Sequence, residues 1–260
     1  MKLFKKITKT KIIFKLRNYL NIKPTELNSL FVKKEYSISD AFLWRTDNSY
    51  KTYFKFTDLL KLFFNKEGTS INIIICDKNL KEIKRIQISK IEISNQFLID
   101  KNLLNGLEDY GVFYIFHNTK EKIKSSLRNS CYTGFSYQDS LPSFVHGNCP
   151  ATYMKFDNQK FNIKSIKSSQ DIVGFSLFKK QKYKVQKYFK DFSKTEIFLN
   201  NPTLKKIKVS ISNNNFYINA GCSKIIDTTN YKQIEIISNC YFLRPIVFNY
   251  KNNFLDVHHG

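Results

Sequence analysis

From Ile38 onward the chain is written in short β-branched and aromatic runs, and this pattern leaves little choice of fold. ISDAFLWRT, YKTYFKF, SINIIIC, EIKRIQIS, FLID and YGVFYIFH are each four to nine residues long, divided by clusters of Asp, Asn, Gly or Lys. Runs of that length are too short for most helices, and their side chains suit a pleated, half-buried surface. In KTYFKFTD, Tyr53 and Lys55 face one way and Thr52, Phe54 and Phe56 the other, the alternation of a strand with one buried face. DLLKLFF, from Asp58 to Phe64, is the main helical candidate in this half. The expected class is all-β, with sandwich-like domains.

The opening MKLFKKITKTKIIFKLRNYLN differs. Leu3, Ile7, Phe14 and Leu20 can share one side of a helix while Lys2, Lys5, Lys6, Lys9 and Lys11 crowd the rest. A basic amphipathic helix over 1–21 either contacts an anionic membrane surface or packs on the body of the protein and shows its lysines to water. Basic residues interrupt any apolar stretch here, so a secretory signal is not expected. No apolar run approaches the about 20 residues of a membrane span. The expected location is cytoplasmic, peripheral to the inner face of the membrane.

A weak internal repeat follows. KTEIFLNNP at 194–202 resembles KTYFKFTDL at 51–59, and each precedes a β-branched strand, a turn, another strand and a last aromatic strand. Duplication is the simplest origin of such a pair. The expected organisation is two tandem β-sandwich-like domains, 36–118 and 166–260, after the helix, with a joining segment over 119–165 that holds a candidate cleft.

Lys and Arg number 43 against 21 Asp and Glu, a formal net charge of +22. An AT-rich genome would favour Lys, Asn, Ile, Phe and Tyr, but it would not deplete Asp and Glu. So positive a surface concentrates anions, whether nucleic acid, anionic lipid or acidic polysaccharide. Cys76, Cys131, Cys149, Cys222 and Cys240 are widely spaced, with no CxxC pair, which points to core thiols in a reducing compartment rather than a disulfide framework or zinc ribbon. GxSxG, Walker A, GxGxxG and HExxH motifs are all absent, so the common hydrolase and nucleotide folds are not expected.

The least regular part, SSLRNSCYTGFSYQDSLPSFVHGNCPATYMKF, gathers Arg128, Tyr132, Tyr137, Ser143, His146 and Asn148. In an extended chain Phe144, His146 and Asn148 project to one side, so an imidazole and an amide can meet one ligand. The structural alternative is that HGN ends a strand, with Gly147 or Asn148 at positive φ. At the other end, Asp256 and His258 can share a face, and with His146 they would suffice for a metal site of the His-plus-acid type. Pro245 cannot donate to a central ladder, so its strand is expected to be an edge or to carry a bulge there, which puts Arg244 near an opening. Arg45, Arg128 and Arg244 are candidates for forked hydrogen bonding to a carboxylate or phosphate, or for internal salt bridges.

These features point to a non-catalytic binding or accessory protein at the membrane surface. It would recognise an anionic or carbohydrate-like ligand through Arg128, Tyr132, Tyr137, Ser143, His146, Asn148, Arg244 and His258, without a cofactor. Two alternatives stay open. One is an enzyme, metal- or His-dependent, with a site built from His146, Asp256 and His258. The other is a nucleic-acid-binding protein that uses the Lys- and Tyr-rich stretch 178–192.

Overall fold

The structure is a computed structural model. It describes the chain apart from residues 1–11, 14–15, 17–19, 21–34, 130, 139, 148–149, 158–161, 170–171, 173, 175–176, 178–179, 186–191, 213, 232 and 241–242. Most of the basic opening stretch, including Lys2, Lys5, Lys6, Lys9 and Lys11, therefore lies outside the described residues, as does Asn148. Among the described residues no helix is long and apolar enough to cross a membrane.

The fold is nearly all β. In the first half, β2 (Phe42–Arg45), β7 (Tyr110–Asn118), β4 (Ser70–Asp77) and β5 (Glu82–Ile88) form a sheet in the order β2-β7-β4-β5. A second sheet, in the order β10-β9-β3-β6, joins β10 (Ser143–His146), β9 (Tyr132–Tyr137), β3 (Tyr50–Phe56) and β6 (Asn95–Ile99). The second half has β12 (Gln181–Val185), β17 (Ile234–Ser238), β14 (Ile207–Ile211) and β15 (Asn214–Ile218) in the order β12-β17-β14-β15. Its other sheet, β16-β13-β18-β19, is made by β16 (Ser223–Asp227), β13 (Lys194–Asn200), β18 (Ile246–Lys251) and β19 (Phe254–His259). A small sheet places β1 (Tyr36–Asp40) between β11 (Pro150–Lys155) and β8 (Leu127–Arg128).

The two halves repeat one topology. Replacing β2 to β7 by β12 to β17, and β9 and β10 by β18 and β19, converts the first pair of sheets into the second, strand for strand. The sequence likeness falls on equivalent strands: KTYFKF lies in β3 and KTEIFL in β13, each an inner strand paired antiparallel on both sides. The three strands of the small sheet have no counterpart among the described residues of the second half.

Between β3 and β4 the chain makes one short helix, α1 (Leu59–Phe64). Asp58 caps it by accepting from the Lys61 N–H at 3.0 Å, and Asn65 closes it in the left-handed region. A second helix, α2 (Ile163–Ser169), buries Ile166 in the core.

Three large apolar clusters, with a smaller one of Leu59, Leu60, Ile123, Leu127 and Phe156 around α1, account for the packing among the described residues. Phe54, Phe56, Ile71, Ile73, Ile75, Phe113 and Ile115 fill the first sandwich. Ile197, Leu199, Ile207, Val209, Ile234 and Ile236 fill the second. The third lies between the halves, where Ile74, Cys76, Val112 and Tyr114 on the outer face of one sheet meet Phe198, Phe248 and Val257 of the other half. Strands β4 and β7 are thus buried on both faces, which is why INIIIC and GVFYIF read as continuous apolar runs. By contrast β14 and β17 alternate, because their outer face meets water.

A polar network pins the same junction. Arg45, 1% exposed, forks onto Asp47 at 3.0 and 2.7 Å and reaches Glu196 of the other half at 2.7 Å. Tyr50 donates to the Tyr250 hydroxyl, which donates to Glu196. The guanidinium also stacks over the Tyr50 ring, 4.1 Å from its centroid. Burial alone would raise the Glu196 carboxyl; the Arg45 charge and the hydrogen bonds from Lys194 and Tyr250 outweigh it and hold the group at about 2.

Candidate binding face

The residues singled out in the joining segment occupy the β9–β10 hairpin and its surroundings, but they serve different ends. SFVH is β10, and Gly147 follows it, so the segment does end a strand. Gly147 is not at positive φ, and the other candidate for that conformation, Asn148, lies outside the described residues. The glycine is required for a different reason: a Cβ there would lie 2.5 Å from the Phe42 ring and 2.8 Å from the Asp40 carboxylate. Arg128 forks onto Asp40, both contacts at 2.8 Å, and is an internal ion pair. Ser143 joins the halves, accepting from the Val257 N–H at 2.9 Å. Tyr137 packs against Tyr50 and Tyr250 at the junction.

The histidines separate. His258 holds Asp256 at 2.9 Å, and Asp256 also accepts from Asn249. Its neighbour His259 points the other way and donates from Nε2 to the His146 carbonyl at 3.0 Å. Burial, with the Arg244 charge behind it, lowers His259 to about 4, so it is neutral near pH 7. Arg244 itself is exposed. The remaining histidine, His117, is buried and was overlooked as a working group. Its Nδ1 donates to the Asn129 side chain, and its Nε2 accepts from the Leu59 N–H at 3.2 Å. Burial lowers its pKa against the pull of Asn129, and it serves as a polar tie between α1 and the core. Among the described residues no group of three or more His, Cys, Asp or Glu is arranged to hold a metal ion.

What does gather on one surface is the outer face of the β10-β9-β3-β6 sheet. The register places Phe144, Gly134, Tyr53 and Leu98 in one row across the four strands. His146, Tyr132, Lys55 and Gln96 form the next row. Tyr132 is 47% exposed and packs on His146, with ring centroids 4.4 Å apart. Phe144 lies flat across Gly134, where any Cβ would come within 2.5 Å of the ring, and Lys55 Nζ stands 4.7 Å over it. The face is open and aromatic, with the Lys55 ammonium and the Gln96 amide beside the rings.

Sequence reasoning found Tyr132 and His146 of this face and the outward side of Tyr53 and Lys55, but it did not bring the two pairs together. The parity of each strand is legible; the register that sets Tyr132 opposite Lys55 is not.

No family model matches the chain, and no curated protein matches it. Among solved structures, an α-L-rhamnosidase of Streptomyces avermitilis complexed with L-rhamnose is 7% identical with a TM-score of 0.23, over 90% of this chain and 29% of that one. The Pleurotus ostreatus lectin in its apo form is 6% identical with a TM-score of 0.18, over 88% of this chain and 83% of that one. Likeness at this level assigns neither a fold family nor a function.

Proposed function

We propose that the chain is a non-catalytic binding protein that holds a carbohydrate across the outer face of the β10-β9-β3-β6 sheet. The observation that carries this reading is the exposed Tyr132 ring, packed on His146 and on the same sheet face as Tyr53, with Lys55 and Gln96 in its own row. Sugar rings present apolar C–H faces that stack on aromatic rings, and their hydroxyls take hydrogen bonds from amide and ammonium groups at the edge. An open face suits an extended glycan better than a small ligand, which needs enclosure.

The test is affinity electrophoresis of the whole chain through gels containing neutral or uronate-bearing polysaccharides, with Tyr132→Ala and Tyr132→Phe alongside. Retardation by a polysaccharide, lost at least tenfold in Tyr132→Ala and largely kept in Tyr132→Phe, is the expected result. A chain retarded by no polysaccharide, whose Tyr132→Ala variant instead loses affinity for a single-stranded oligonucleotide, would make the face a nucleic-acid platform and overturn the reading.

A further inference from the structure

The short helix α1 carries apolar side chains both inward and outward. Leu59 and Leu60 enter the cluster with Ile123 and Phe156, and Phe64 packs against it. Leu62 and Phe63 turn the other way and are 64% and 63% exposed. Single exposed apolar residues are ordinary on a protein surface, but a leucine and a phenylalanine side by side on one turn of helix call for a partner.

The surroundings of this pair are basic. Lys61 and Lys66 lie on and just after α1, and the loop that puts Ile123 into the cluster exposes Lys120, Lys122 and Lys124. Of the nearby acids, Glu67 is held by Lys61 at 3.2 Å and Glu121 by Lys66 at 2.5 Å, while Glu35 and Asp157 stand with Lys155 on the far side of the loop. The preceding chain adds much more positive charge, because residues 1–21 hold six lysines and Arg17 and no acid. That chain joins the body at the same loop: the Glu35 N–H donates to the Ser125 carbonyl at 3.2 Å, and β1 begins at the next residue.

Within the basic stretch Ile12, Ile13 and Leu16 are helical, and the Leu20 N–H donates to the Leu16 carbonyl at 2.9 Å. Ile12 and Leu16, one turn apart, are 80% and 55% exposed, and Leu20 on the next turn is exposed as well. An apolar stripe turned to water, on a stretch whose every charged side chain is positive, has the character of a helix that lies in a lipid headgroup layer.

We propose that the α1 end of the first half docks on an anionic lipid bilayer. Leu62 and Phe63 enter the headgroup boundary, the lysines meet lipid phosphates, and the helical stretch with Ile12, Leu16 and Leu20 lies beside them. A nucleic acid would satisfy the lysines but leave the aliphatic side chains in water, since they do not stack on bases. A bilayer interface satisfies both kinds of group. The inference uses none of the residues of the aromatic sheet face and does not depend on the glycan reading.

The experiment is flotation of the whole chain with vesicles of phosphatidylcholine, alone or mixed with phosphatidylglycerol, over a range of salt. A chain this basic adsorbs to any anionic surface, so the informative variant keeps the charge and changes Leu62→Ser together with Phe63→Ser. Both positions are exposed, and the wild-type Tm should be kept. Binding to the anionic vesicles, weakened about tenfold or more in the double variant, is the expected result. Changing Lys120, Lys122 and Lys124 to Gln should weaken binding too and flatten its salt dependence. Phe63→Trp gives a readout that does not rely on the double variant: its emission should shift to the blue on anionic vesicles, against the constant signal of the buried Trp44. No binding to anionic vesicles, equal binding by wild type and double variant, or a Phe63→Trp emission unmoved by vesicles would each overturn the proposal. Loss of self-association or of oligonucleotide binding in the double variant, with vesicle binding intact, would also overturn it and assign the patch to that other occupant.

Discussion

Arg45 is the residue on which the junction of the two halves turns. Its charge is removed from water and answered by Asp47 on its own half and Glu196 on the other, so cutting one partner leaves a buried cation only partly compensated. Replacing a buried pair with apolar groups can be neutral, whereas breaking it by removing one partner typically costs about 3–5 kcal/mol. Since Asp47 still answers the cation, Glu196→Gln should lower stability at pH 7 by about the lower end of that range in urea unfolding. The pH dependence has a definite sign. The Glu196 pKa is about 2 in the fold, against an ordinary 4.5, so its contribution is full above pH 4.5 and is lost as pH falls toward 2. Linkage puts that loss on the order of 3 kcal/mol. The difference in stability between the wild type and Glu196→Gln should shrink across that window; a difference constant from pH 7 to pH 2 would mean that the carboxylate is not what Arg45 relies on.

At the scale of strands, the sequence was most informative where burial is one-sided and least where it is two-sided. KTYFKFTD declares its two faces by alternation, and the structure puts Thr52, Phe54 and Phe56 inside as that alternation requires. INIIIC declares only that it is buried, because Ile73 packs in the first sandwich while its neighbour Ile74 packs at the junction. Strand pairing is a long-range fact, and nothing local to HGNCP or to LRPIVF states which edge each strand joins. The two-sided burial has a measurable consequence. Ile73→Ala and Ile74→Ala should each cost about 2–5 kcal/mol in chemical unfolding, as core truncations do. Lys208→Ala, on the alternating and water-facing β14, should stay within about 0.5 kcal/mol of wild type. A cheap Ile74→Ala would show that the junction is loosely packed.

At the scale of the molecule, the repeat explains why the second half differs from the first in its polarity. The β2-β7-β4-β5 sheet of the first half carries Ile74, Val112 and Tyr114 outward because the second half covers them. The equivalent sheet of the second half, β12-β17-β14-β15, is covered by nothing among the described residues and turns Lys182, Lys184, Lys208 and Tyr217 to water instead. The face the second half uses for docking, with Phe198 and Phe248, is the topological equivalent of the face that bears Tyr53 and Tyr132, which the described residues of the second half leave uncovered in the first. One architecture has been fitted to two uses: the aromatic sheet face became a joint in one copy and a solvent-facing platform in the other. Because that joint combines an apolar cluster with a buried ion pair, the halves should not unfold independently. Scanning calorimetry of the whole chain should give one transition, with the van't Hoff and calorimetric enthalpies equal. Glu196→Gln should lower that single Tm rather than split the peak. Two resolved transitions in the wild type would mean that each sandwich is stable by itself and that the shared core adds little to either.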